Sequence, residues 1–126
     1  MTAGLASAHA HGILNLFRGT NYTAPSGVFV KLHTGDPGAA GTANASAVTT
    51  RNQAAWAAPS AGSMTLSSLA GYSMTATETI THVSLWDAAS GGNFLESAAL
   101  TSAKDVTSGD TLTITTLTLA FTPIAA

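Results

Sequence analysis

The chain of 126 residues is poor in charge: 8% of its residues are charged, its formal net charge is −2, and it has no cysteine. Soluble domains average about 25% charged residues, so this surface offers few groups for ionic contacts. The four basic residues are scattered, which argues against a nucleic-acid partner. The lack of cysteine excludes disulfides and thiolate catalysis. No window approaches the roughly 20 apolar residues of a membrane span, and we expect neither a signal peptide nor a membrane partner.

Residues 3–18 have the spacing of a short amphipathic helix. Thr2 is the expected N-cap, and Gly19 is the expected residue just beyond the C-terminus. The helical stripe consists of Leu5, His9, Ile13, Leu16 and Phe17. This stripe should pack either on the β-domain or on a neighbouring protein. Because a β-domain could close its own core without the stripe, docking on a partner protein is the favoured alternative.

After residue 19 the pattern changes to short alternating or Thr- and Ser-rich runs, which are typical of strands. The runs are GVFVKLH, TRNQAAW, SMTLSSL, GYSMTAT, ITHVSLWD and NFLESAAL. The last run, TLTITTLTLAFTP, changes its phase at Thr115 and Thr116, which predicts a β-bulge inside one strand. We therefore predict a mainly β fold in which a helical segment (1–19) precedes an antiparallel β-sandwich or small barrel of about six to eight strands (20–126).

Turn-forming residues separate these runs, since Asp, Pro and Gly each favour turns for a distinct conformational reason. The segments LHTGDPG, WDAASGG and TSGD are the clearest cases. We assign structural turn roles to Asp36, Pro37, Gly38, Asp87, Gly91, Gly92, Gly109 and Asp110.

No group of residues has the spacing of a catalytic or metal site. His33 and Asp36 could form an acid–base pair, but no nucleophile or third group lies near them in the sequence, so a connecting turn is the preferred interpretation. His9 and His11 point in different directions on a helix, and a metal site needs more convergent ligands. We predict no catalytic residues, no cofactor and no metal.

Several stretches together resemble a family of small tailed-bacteriophage virion proteins, often labelled tail fibre or minor tail proteins. The stretches are GTNYTAPSGVFVKLHTGDPGAAGTAN, TTRNQAAW and ITHVSLWDAASGGNFLESAALTSAKDVTSGDTLTI, followed by the Thr- and Leu-rich terminal run. The resemblance covers nearly the whole chain, and WDAASGGNFL with SGDTLTI is its most specific part. The TTRN stretch departs from the family pattern, which has a tyrosine before the arginine.

The resemblance implies a non-enzymatic virion component, assembled in the host cytoplasm and located on the capsid or tail surface. Its expected partners are major capsid or tail proteins and copies of itself, with a trimer favoured over a dimer. A compact, charge-poor chain also suits a capsid decoration (cement) role, so head and tail locations stay open. The alternative is a receptor- or glycan-binding tail module, for which the candidate aromatic residues are Trp56, Tyr72 and Trp86.

Overall fold

The computed structural model of the protein describes residues 3–120. One helix is followed by eight strands in the order α1 (Ser7–Phe17), β1 (Val28–His33), β2 (Asn52–Trp56), β3 (Ser63–Ser68), β4 (Tyr72–Ser73), β5 (Glu78–Trp86), β6 (Phe94–Val106), β7 (Thr111–Leu112) and β8 (Thr118–Ala120). The prediction of a mainly β fold with a short N-terminal helix is confirmed.

Six strands form one curled antiparallel sheet in the order β6-β5-β1-β2-β3-β8, and β4 and β7 form a separate two-stranded sheet. At the centre, Phe29 pairs with Trp86, Lys31 with Ser84 and His33 with His82. Because strand side chains alternate between faces, β1 sends Val30 and Leu32 to one face and His33 to the other. All three side chains are buried, so the centre of the sheet is covered on both faces.

The main hydrophobic core occupies the face of the sheet that carries Val30 and Leu32. Both residues are fully buried, and Val83 and Leu85 of β5 pack with them. Tyr72, from the small sheet, packs into the same cluster, and its hydroxyl donates a hydrogen bond to the Val30 carbonyl. This bond ties the two sheets together. The remaining members of the buried cluster are Val48, Ala54, Met74, Ile80 and Val106.

Helix α1 begins at Ser7, four residues later than the sequence predicts, so the expected start is wrong. Its N-cap is Ala6, which makes no side-chain capping bond, and Thr2 lies outside the described residues. The helix starts late because residues 4–6 are extended and pair with β6. The prediction for Gly19 is confirmed: it has φ of +75°, and its N–H donates to the Leu16 carbonyl at 3.1 Å, as in a Schellman C-cap.

The predicted β-bulge at Thr115 and Thr116 is also wrong. The run that begins at Thr111 is divided between two sheets, since β7 pairs with β4 while β8 pairs with β3. Residues 113–117 between them are not strand, and residues 121–123 of the run lie outside the described residues. The change of phase therefore marks a crossing from one sheet to the other. Irregular pairing occurs instead at Ala55/Trp56, Ile80/His82 and Leu85/Trp86.

Candidate docking surface on the N-terminal helix

Residues 4–6 fix the start of helix α1 to the outer edge of β6. The Ala6 N–H donates to the Leu95 carbonyl at 2.8 Å, and the Ser97 N–H donates to the Gly4 carbonyl at 2.8 Å. Leu5 lies opposite Glu96 in this antiparallel bridge. The segment thus covers part of an edge that would otherwise present unpaired backbone groups.

The middle of α1 is held by a contact between His9 and Tyr22. Their ring centroids are 5.6 Å apart, and His9 Nδ1 lies 2.6 Å from the Tyr22 hydroxyl. A Cβ atom at Gly12 would lie 2.5 Å from the Tyr22 ring. Glycine at this helical position therefore has a packing reason that offsets its lower helix propensity. Burial lowers the pKa of His9, which favours a neutral ring beside the tyrosine.

The inner side of α1 faces a cleft of about 280 Å³ above the sheet, which is lined by Leu5, His9, Ile13, Pro59, Gly62, Ser63, Met64, Glu96 and Leu119. Desolvation raises the pKa of the Glu96 carboxyl group in this largely apolar setting. Three residues of the predicted docking stripe thus lie beside the protein's own body.

The C-terminal half of α1 carries three large apolar side chains that are open to solvent. Leu14 is 60% exposed, Leu16 is 54% exposed and Phe17 is 88% exposed. We call these three residues the outer apolar patch. Leu14 was absent from the sequence-based stripe, although it lies three positions before Phe17, a spacing that places both on one helical face. The structure therefore divides the predicted stripe: Leu16 and Phe17, at the C-terminal end of the helix, are exposed, whereas Leu5, His9 and Ile13 line the cleft.

His33 contacts Ser84 rather than Asp36. His33 and Ser84 are both fully buried, and His33 Nε2 is 2.7 Å from Ser84 Oγ. His33 Nδ1 bonds the Ala43 carbonyl at 2.8 Å, and Trp86 Nε1–H donates to Ser84 Oγ at 2.8 Å. A serine bonded to a histidine is the arrangement of a nucleophile and its base, but a substrate cannot reach fully buried groups. The arrangement instead satisfies buried polar atoms.

The predicted turn around Asp36 is closed by its own side chain. Asp36 Oδ1 accepts a bond from the Gly38 N–H at 2.8 Å, and Gly38 has φ of +74°. Pro37 is fully buried, and its carbonyl accepts a bond from the Ala43 N–H at 2.9 Å. After this turn the chain runs back alongside the end of β1, where Ala45 lies opposite His33.

The turn between β5 and β6 is closed by Asp87. Its carboxylate accepts bonds from the backbone N–H of Asn93 at 2.6 Å and from the Asn93 side chain at 2.8 Å. These bonds lower the pKa of Asp87. Gly91 and Gly92 both have positive φ. Arg51 spans the turn by donating to the Ala88 carbonyl at 3.1 Å and to the Gly91 carbonyl at 2.7 Å.

Asp110 closes the turn before β7 in a similar way. One carboxylate oxygen of Asp110 accepts bonds from the Thr107 N–H at 2.9 Å and from the Thr107 hydroxyl at 3.2 Å. Gly109 has φ of +95°, and its N–H donates to the Met74 carbonyl at 2.8 Å. The aspartate side chains at all three turns thus accept local backbone bonds.

The aromatic residues considered for glycan binding lie mostly inside the protein. Tyr72 and Trp86 are buried, which leaves Trp56 as the partly exposed one. The buried Trp56 indole N–H has no hydrogen-bond partner.

Within residues 3–120, no three His, Cys, Asp or Glu residues are grouped as a metal site would require. The described part of the chain contains no helix long and apolar enough to cross a membrane.

The fold and these surfaces define a small antiparallel β-domain that carries an apolar helix on its exterior. A family model described as podophage GP4 fiber I protein gp80 matches residues 4–122. Since the match covers nearly the whole chain, the protein belongs to this family. This confirms the resemblance to tailed-phage virion proteins, and the protein is a virion-associated structural protein of a bacteriophage. A search of curated protein sequences found no match.

Proposed function

We propose that the protein is a non-enzymatic fibre subunit that docks in many copies on other virion proteins through the outer apolar patch of α1. The observation that carries the proposal is the exposure of Leu14, Leu16 and Phe17 together on one short helix. Large exposed apolar patches mark interaction sites on soluble proteins. Full burial of a side chain such as Phe17 is worth about 1.5–3 kcal/mol, so a few such contacts from each copy suit assembly in many copies.

The fibre location is favoured over capsid decoration by the description of the family model. The sequence alone left the two locations open. A structural role is favoured over an enzymatic one by the burial of the His33 and Ser84 pair, because this pair resembles a catalytic arrangement but lacks access to solvent.

The proposed partners are other virion proteins and further copies of the chain, with a trimer ahead of a dimer. Only ten residues are charged, four basic and six acidic, so contacts between copies would be mainly apolar and hydrogen-bonded. Salt screens ionic contacts but not apolar ones. Light scattering at low and high salt should therefore detect an oligomer that high salt does not dissociate. A strict monomer at both salt concentrations that also binds no virion protein would contradict the structural proposal.

The docking surface can be tested by substituting Leu14 and Phe17 with serine in one variant. Wild-type protein should bind to purified virions that lack their own copy, and immunogold labelling should place it on the fibre. The double variant should fold and lose binding, whereas His11→Ser, an exposed change on the same helix, should bind normally. Normal binding by the double variant would exclude this docking surface, and gold on the capsid alone would exclude the fibre location.

A further inference from the structure

The segment of residues 34–46 folds back over the end of β1 and covers His33. The Thr34 N–H donates to the Asn44 carbonyl at 2.8 Å, and the Ser46 N–H donates to the Leu32 carbonyl at 3.1 Å. Ala45 lies opposite His33 in an antiparallel bridge. We call residues 34–46 the covering segment.

The hydrogen bonds around His33 fit a neutral ring. A carbonyl can only accept, so Nδ1 must carry the proton that is donated to the Ala43 carbonyl. Ser84 Oγ accepts the Trp86 indole N–H, which leaves the Ser84 hydroxyl proton free to be donated to Nε2 of His33. Protonation of Nε2 would remove this acceptor, and the Ser84 proton would need a new one. Loss of the Ser84 bond thus disfavours the imidazolium form, whereas the bond to the Ala43 carbonyl favours it. Burial is the largest effect, and it lowers the pKa of His33.

The neighbouring ionisable groups also disfavour a charge on His33. Lys31 lies two positions earlier on β1, and His82 lies directly opposite His33 on β5. Both are bases, and both would repel a charged ring. In the covering segment, the Asp36 carboxylate accepts the Gly38 N–H of its own turn. Glu78, at the start of β5, bonds Ser46 and Ala47 at the far end of the segment.

We propose that the covering segment is an acid-sensitive latch that opens when His33 becomes protonated, while the β5–β6 pair stays folded. Opening would expose the ring to water, which removes the cost of a buried charge. The contacts that break are the backbone bonds from Thr34 and Ser46, the bond from His33 to the Ala43 carbonyl, and the bond from the Ser46 hydroxyl to the Glu78 carboxylate at the start of β5. The β5–β6 pairing is made by other backbone groups, so it need not break with them.

The pH dependence of latch opening follows from the linkage between opening and the protonation of His33. Burial lowers the pKa of His33 below its ordinary value of 6.5 in the closed state. The open state therefore binds the proton more tightly, and the latch is fully stable above about pH 6.5. Below that pH the closing equilibrium should fall about tenfold per pH unit, because one proton is taken up on opening, until the closed-state pKa is reached.

Amide hydrogen exchange on the full chain between pH 7.5 and 5 tests the latch, after correction for the pH dependence of intrinsic exchange. Protection of the Thr34 and Ser46 amides should fall about tenfold per pH unit below 6.5, while protection within β5 and β6 is retained. His33→Asn keeps a side-chain donor near the Ala43 carbonyl but cannot ionise, so its latch protection should be independent of pH. His11→Asn, an exposed histidine in α1, should behave as wild type.

A parallel loss of protection in β5 and β6 would show global acid unfolding and overturn the proposal. A pH dependence that persists in His33→Asn would assign the effect to another group and would also overturn it. If His33→Asn does not fold, an NMR titration of the wild-type His33 ring decides the question. The latch amides should then shift at the same pH as the ring, and independent titrations would contradict the latch.

Discussion

The environment of His33 and the exterior of helix α1 show opposite relations between polarity and burial. Around His33, three polar side chains (His33, Ser84 and Trp86) are buried and hydrogen-bonded to one another. On α1, Leu14, Leu16 and Phe17 are apolar and open to solvent. Hydrogen bonds within the His33 region offset the desolvation free energy of its buried polar groups. On α1, no contact within the described chain shields the exposed apolar side chains from water. The first region therefore contributes to stability, and the second supports the proposed docking on another virion protein.

The largest loss of stability is expected for His33→Ala. The change removes the bonds to Ala43 and Ser84 and leaves a cavity in a fully buried site, so the free energy of unfolding should fall by about 3 kcal/mol. Urea unfolding at pH 7.5 measures the effect. His11→Ala, on the exposed side of α1, is the matched control and should change stability by less than about 0.5 kcal/mol. Equal effects of the two changes would mean that the buried network does not stabilise the fold.

A smaller loss is expected for Arg51→Ala. The Arg51 guanidinium lies 3.9 Å from the Trp86 ring centroid and donates to the Ala88 and Gly91 carbonyls. Loss of the two bonds and the stacking should cost about 2 kcal/mol. Arg51→Lys should recover only part of this, because an ammonium group cannot reproduce the planar stacking and the fork of donors. Full recovery with lysine in the same denaturation experiment would show that charge alone matters.

The two glycines of the β5–β6 turn should differ in their tolerance of alanine. Both have positive φ, which costs a non-glycine residue about 1 kcal/mol. A Cβ at Gly91 meets nothing within 4 Å, whereas a Cβ at Gly92 would contact the Asp87 carboxylate and lie 2.7 Å from Ala88 Cβ. We expect Gly91→Ala to lower stability by about 1 kcal/mol and Gly92→Ala by about 2 kcal/mol or more. A reversed order in thermal unfolding would contradict the described turn.

The smallest effect on stability is expected for Phe17→Ser. Phe17 is 88% exposed and buries little area on folding, so its replacement should change the free energy of unfolding by less than about 0.5 kcal/mol. Ile13→Ser is the contrasting variant, since Ile13 is partly buried and faces the cleft. It should destabilise more than Phe17→Ser in the same assay. A large loss with Phe17→Ser would mean that this side chain packs within the folded monomer.

The parts of the structure that could be predicted from the sequence are those governed by short-range chemistry. Gly19 ends the helix because a C-terminal cap needs a residue that tolerates positive φ. Asp36 and Asp87 close turns whose backbone donors lie within a few positions. Strands β1 to β4 lie within the predicted runs, whereas β5 begins two residues before its run and β6 ends six residues after its run. The match of a virion-protein family to residues 4–122 likewise confirms a resemblance visible in local motifs.

The parts that could not be predicted depend on partners distant in the sequence. Helix α1 starts at Ser7 because the preceding residues pair with β6, some 90 positions later in the chain, as in the bond from Ser97 to Gly4. The sequence places Asp36 near His33 but favours a connecting turn there over a pair, and the partner of His33, Ser84, comes from another strand. The sequence carried one unused signal: Leu14 and Phe17 are three positions apart, and this spacing marks a second apolar face of the helix.

The position of β8 has a consequence for the order of folding. β8 is the last described strand in the sequence, yet it pairs with β3, so Ser63 meets Ala120. β7 similarly pairs with β4 across a long stretch of chain. On a ribosome, which synthesises the chain from its N-terminus, these pairs cannot form until β7 and β8 have emerged. Contacts between distant positions are slow to form because loop closure costs entropy first. We therefore expect the sheet to be completed only after β8 has emerged, with the β3 edge left unpaired until then.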